Sequence, residues 1–149
     1  MQRLVDIAPA QIPQIWALLS QIPDPEVPVL TITDLGLVRS VERRGDGWVI
    51  GFTPTYSGCP ATEHLLGEIR TVMADHGYTP VHIVLQLDPP WTTDWMGPDA
   101  RERLRQYGIS PPQGHACHAH MPEDVVCPRC GSRHTSLISE FGSTACKAL

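Results

Sequence analysis

Between Gln11 and Ile22, the apolar residues Ile12, Ile15, Trp16, Leu19 and Ile22 recur at the spacing of one helix face. Pro13 belongs in a first turn, so the helix is expected to start near Ala10 or Gln11. Pro23, Pro25 and Pro28 then force an extended or turned path. Gly36 to Arg44 reads as a strand, Gly45-Asp46-Gly47 as a tight turn, and Trp48 to Thr53 as a second strand. Trp48, Ile50 and Phe52 alternate onto one face of it. Ala61 to His76 is a predicted helix with an apolar stripe of Leu65, Leu66, Ile69, Val72 and Met73. Pro60 suits its first position and Gly77 its C-terminal cap. Val81 to Leu87 is a predicted third strand, with Val81, Ile83, Leu85 and Leu87 on one face. Pro98 to Tyr107 reads as a short helix with Arg101, Arg103 and Arg105 on a wet side and Gly108 at its end. The expected fold class is α+β: a small mixed three-stranded sheet with helices packed on one face, and a strand–helix–strand crossover between the second and third strands.

Composition places a boundary on this order. The chain has 149 residues, 42% hydrophobic and 18% charged. That is enough for one packed core and little more. Pro111-Pro112-Gln113-Gly114 is a linker signal. Beyond it lie four of the five cysteines and few large apolar residues, so the tail needs a staple. The expected division is a domain over 1–109 and a linker with a tail over 110–149. The net charge of -5 argues against nonspecific nucleic-acid binding. No apolar run approaches the ~18 residues of a membrane span. The N-terminus lacks a secretory h-region, so a cytoplasmic protein with reduced cysteines is expected.

Five motifs carry chemistry. Cys59-Pro60 opens the second helix, where unsatisfied N–H groups and the positive dipole end favour an anionic sulfur. A buried structural thiol is the alternative. Asp24-Pro25-Glu26 offers two carboxylates fixed by prolines, for a metal or a partner's cation, or else a solvated turn. Asp34-Leu35-Gly36 reads as a turn. Asp88 to Met96 holds Trp91 and Trp95 in a proline-stiffened loop, either an aromatic docking surface or a lid over the core. Cys127-Pro128-Arg129-Cys130-Gly131 is a zinc knuckle, in which the glycine permits the turn. Cys146, after 15 intervening residues, is the expected third ligand. The fourth is His134 or comes from the cluster His115, Cys117, His118 and His120, which otherwise reads as a flexible loop. The tail's basic residues, Arg129, Arg133 and Lys147, only balance Glu123, Asp124 and Glu140, so this ribbon has no nucleic-acid footprint.

Asp24-Pro25-Glu26, Asp34-Leu35-Gly36-Leu37-Val38, Thr55 through Cys59-Pro60 and Pro90-Trp91 together resemble the SufT-like iron–sulfur assembly domain family over roughly residues 11 to 108. The segments Trp91 to Trp95, Tyr107 to Pro112 and Ile138 to Lys147 resemble one branch of it, the accessory D subunits of bacterial phenylacetyl-CoA epoxidase systems. The resemblance implies a non-catalytic maturation factor in phenylacetate degradation, with Cys59 handling iron, a cluster or a sulfur species transiently. Asp24, Glu26, Thr55 and Trp91 would form the supporting surface, with the Asp24/Glu26 and Trp91/Trp95 loops contacting the client. The implied partners are the reductase or oxygenase components of the epoxidase and the iron–sulfur assembly machinery, with no nucleic acid and no membrane. The implied zinc site uses Cys127, Cys130 and Cys146. Members of that branch continue past the position of Leu149 with a further C-x-x-C, so a ribbon lacking its last ligand is expected.

No E-x-x-H pair, phosphate-loop glycine pattern or flavin signature is present, which argues against a catalytic oxygenase or reductase subunit. Two rivals remain. One is a thiol-dependent enzyme with Cys59 as nucleophile and His64 or His82 as base. The other is a purely structural subunit of the oxygenase complex.

Overall fold

A computed structural model describes residues 8–112 and 125–138. Helix α1 (Ala8–Leu19) is followed by strands β1 (Val38–Arg44) and β2 (Gly47–Phe52), helix α2 (Ala61–Asp75), strand β3 (Val81–Leu85), a single 3-10 turn at Thr93–Trp95, and helix α3 (Pro98–Tyr107). The strands form one sheet in the order β1-β2-β3. The β1/β2 pair is antiparallel and the β2/β3 pair is parallel, so α2 is the crossover of a strand–helix–strand unit. The mixed sheet agrees with the sequence.

Periodicity explains the core. Trp48, Ile50 and Phe52 meet the α1 stripe of Ile15 and Leu19 and the α2 stripe of Leu65, Leu66, Ile69 and Met73, all of them buried. Ile12, Trp16 and Val72 pack half-buried around them. Tyr78 closes one end. Its ring stands edge-on to Trp48 at 5.8 Å, and its hydroxyl donates to Gln14 Oε1 on α1.

Three expectations need correction. First, α1 begins at Ala8 and ends at Leu19, so Pro13 lies in the second turn. The helix tolerates the lost ladder bond because its apolar stripe is docked on the core. Second, β3 is shorter than expected. Leu85 and Leu87 are 48% and 53% exposed instead of facing inward, because β3 is an edge and, among the described residues, no helix covers its far end. Third, the wet side of α3 is not wet. Arg101 donates to the carbonyls of Met96, Thr93 and Pro112, and Arg103 pairs with Asp34 at 2.7 Å and donates to the Val29 carbonyl. Arg105 is the most exposed of the three, bonded to Glu102 one turn back, which holds that exposed carboxyl down at about 2, with Gln106 contributing. The arginines thus fasten a helix whose apolar face is only Ala100 and Leu104.

Candidate functional site

Phe52 ends β2, and the chain continues through buried Thr53 and Pro54 into the turn Thr55–Gly58. Thr53 N–H donates to the Leu37 carbonyl and fixes where this turn leaves the sheet. Cys59 follows, half-buried. Pro60 stands at the helix N-cap, and the Cys59 carbonyl accepts from Thr62 N–H in the first turn of α2. The thiol-bearing residue therefore sits at the mouth of α2, as its position beside Pro60 predicts.

A cleft of about 380 Å³ opens beside it. Leu30, Leu37, Phe52, Leu65 and Met96 make its floor. Asp24, Glu26, Thr55, Tyr56 and Cys59 line its rim, and Trp91 forms a wall. Every residue expected to handle cargo or support that surface in the α+β domain thus reaches one cavity. Residues far apart in sequence are brought together by three loops: the one after α1, the one after β2 and the one after β3.

Each loop has a local reason for its shape. Asp24 Oδ1 accepts the N–H groups of Glu26 and Val27, both at 2.9 Å, so this carboxylate shapes its own turn while it faces the cleft. Asp34 acts in the same way one loop later. Its Oδ2 accepts from the Thr31 N–H and hydroxyl, and its Oδ1 pairs with Arg103. Burial pushes Asp34 up, but the hydrogen bonds from Arg103 and Thr31 outweigh it and hold the carboxyl below its ordinary value. Gly36 turns the chain at φ +73°, and a Cβ there would lie 2.9 Å from Trp95 Cβ. Only glycine fits both conditions.

The aromatic loop resolves as a lid. Trp91 is 9% exposed, and its indole Nε1–H donates to the Leu35 carbonyl at 2.7 Å. Trp95 packs against Gly36, with the Arg39 guanidinium 3.8 Å from its ring centre. Trp91 turns inward and Trp95 lies half-buried, so of the two readings of this loop the structure shows the lid. Their apolar area is worth more against the small core.

Sequence reasoning missed one side of the cleft. Leu104, Ile109, Ser110 and Pro112 line it as well. The proline-rich segment was readable only as a linker, because nothing in its composition marks it as a wall. His64 and His82 are exposed, and neither lines the cleft, so the imidazole that a thiol-dependent enzyme needs is absent from its described wall.

The knuckle is formed as expected. Gly131 N–H donates to the Cys127 carbonyl, Cys127 N–H donates to the Ser132 carbonyl, and Gly131 adopts φ +72°. The N–H groups of Cys130 and Arg129, together with the Cys130 side chain, pull the Cys127 thiol below its ordinary value. Two soft sulfurs so presented suit half of a tetrahedral zinc site. His134 is exposed, and among the described residues no three His, Cys, Asp or Glu side chains converge. Cys117 and Cys146 lie outside the described residues. The knuckle sits on the end of α3, where Arg129 lies over Gly108, and its cavity is shared with Arg105, Ser110 and Pro111.

Among the described residues, no helix is long and apolar enough to cross a membrane. Residues 12–77 match the family described as iron–sulfur cluster assembly protein, and residues 112–149 match the PaaD zinc beta ribbon domain. Over its full length the chain is 76% identical to 90% of an Escherichia coli (strain K12) protein provisionally named as the D subunit of 1,2-phenylacetyl-CoA epoxidase. Over 60% of its length it is 40% identical to 89% of the Fe-S protein maturation auxiliary factor YitW of Bacillus subtilis (strain 168). A solved domain of unknown function (DUF59) from Bacillus anthracis superposes on 64% of this chain and 92% of its own, with a TM-score of 0.59 at 26% identity. The chain belongs to the iron–sulfur cluster assembly protein family, in the branch formed by the D subunits of 1,2-phenylacetyl-CoA epoxidase.

Proposed function

We propose that this chain is a non-catalytic maturation subunit that carries iron, a cluster or a sulfur species on Cys59 and delivers it to a phenylacetyl-CoA epoxidase component. One observation carries the reading: Cys59, Asp24, Glu26, Thr55 and Trp91, singled out in sequence for this task, share one cleft. A thiolate is a soft ligand for iron or a transferable sulfur. The neighbouring carboxylates are hard oxygen donors that suit a cation held briefly. An apolar floor under them slows water without locking the cargo in. The names of the relatives support the class of role, and the absence of histidine from the described cleft wall weighs against a thiol-dependent enzyme.

The tail over 110–149 serves as a separate module on the domain over 1–109. Cys127, Cys130 and Cys146, with His134 or Cys117 as the fourth ligand, hold structural zinc there, which supplies folding energy and no chemistry. The reductase or oxygenase component is the client, the iron–sulfur assembly machinery is the donor, and the setting is cytoplasmic.

The test is maturation in cells. Cys59→Ser, produced at wild-type level, is expected to leave the epoxidase system short of iron or cluster, as a deletion does. A purely structural subunit would support full maturation with serine at 59.

A further inference from the structure

The two edges of the sheet differ in kind. On β1 the pairing register shifts between Val38 and Ser40, and the strand carries Arg39, Glu42, Arg43 and Arg44. An irregularity and a row of charges are the usual means by which an edge is kept from pairing. The β3 edge has neither. From Val81 to Leu87 there is no Asp, Glu, Lys or Arg. Val84, Leu85 and Leu87 are 48%, 48% and 53% exposed.

The hydrogen-bond phase of β3 follows from its ends. The Pro80 carbonyl accepts from Trp48 N–H, and Gln86 N–H donates to the Phe52 carbonyl, both at 2.8 Å. With the parallel register Trp48↔Val81 through Phe52↔Leu85, the even-numbered residues His82 and Val84 turn their backbone groups to β2. Val81, Ile83 and Leu85 turn theirs to the open side. Among the described residues, no segment pairs with that side.

We propose that β3 is a self-pairing edge, on which a second copy of this chain adds its own β3 antiparallel about a two-fold axis through Ile83. The phase suits this pairing. Ile83 lies opposite Ile83 of the second copy and Val81 opposite its Leu85, and all of these are outward-facing positions, so each pair exchanges two hydrogen bonds. The side chains suit it as well: Val84 lies opposite His82 of the second copy and Leu85 opposite its Val81, with no like charges opposed. The charged, irregular β1 edge cannot take the strand in the same way, so pairing closes as a dimer instead of growing into a fibre. The pairing strand is only five residues long, so a weak, reversible dimer is expected. Each copy carries a net charge of -5, so salt strengthens the dimer by screening long-range repulsion.

The test combines sedimentation equilibrium of the full chain over a concentration series with amide exchange resolved by residue. The expected result is a reversible monomer–dimer equilibrium, tighter at high salt. The amides of Val81, Ile83 and Leu85 gain at least tenfold protection as concentration rises, while those of His82 and Val84 stay protected throughout. Val84→Lys, at an exposed position outside the core, is expected to yield a folded monomer with an unchanged circular dichroism spectrum. Three results would each overturn the proposal: a monomer at several hundred micromolar, a dimer indifferent to Val84→Lys, or odd-numbered amides protected independently of concentration. The last would mean that another segment of the same chain covers the edge.

Discussion

Trp91 joins two loops through one bond, since its indole N–H reaches the Leu35 carbonyl while its ring walls the cleft. Trp91→Phe keeps most of the wall but leaves that carbonyl without its donor. The expected cost is about 1–3 kcal/mol in urea denaturation, without loss of the fold. Gly36→Ala adds a Cβ against Trp95 at a positive φ, and its cost is also about 1–3 kcal/mol. An unchanged urea midpoint in either variant would mean that the lid is not held as described. Cys59 was legible in the sequence because a thiol before Pro60 at a helix start has a recognisable context. The inward turn of Trp91 was not legible, since a lid and a docking loop have the same composition and differ only in what they pack against.

At the scale of elements, α3 is the piece fastened by charge. Asp34 is held below its ordinary value of 3.8 by Arg103 and Thr31, so it binds its proton less readily folded than unfolded. The stability it contributes is complete above pH ~4 and is lost as pH falls below 3.8 through the lower folded-state value. Asp34→Asn is therefore expected to cost about 1 kcal/mol at pH 7, discounted because Arg103 is partly in solvent. It should also flatten the loss of stability between pH 4 and pH 3. Urea midpoints measured from pH 7 to pH 3 check both, and parallel curves for variant and wild type would contradict the assignment. The hairpin, α2 and α3 could be read from periodicity and from their bounding glycines and prolines. The role of Arg101 and Arg103 could not. Charge on a short helix predicts solvent, and only the fold shows carbonyls and a carboxylate waiting for the guanidinium groups.

The whole molecule links its two candidate sites through one strap. Ile109, Ser110 and Pro112 line the Cys59 cleft, Ser110 and Pro111 line the cavity under the knuckle, and Arg101 holds the Pro112 carbonyl. Arg101→Ala is expected to raise the alkylation rate of Cys59 several-fold and to expose the segment around Pro112 to proteases, while the sheet stays intact. Equal alkylation rates would detach the strap from the cleft. The central claim is that Cys59 carries cargo, and iron and sulfide analysis tests it most directly. The full chain is incubated anaerobically with ferrous iron and sulfide, desalted and assayed for iron, sulfide and zinc, wild type beside Cys59→Ala. The account predicts iron or sulfide on the wild type, its loss in Cys59→Ala, and zinc unchanged between the two. Iron and sulfide equal in both chains, or absent from both, would contradict it.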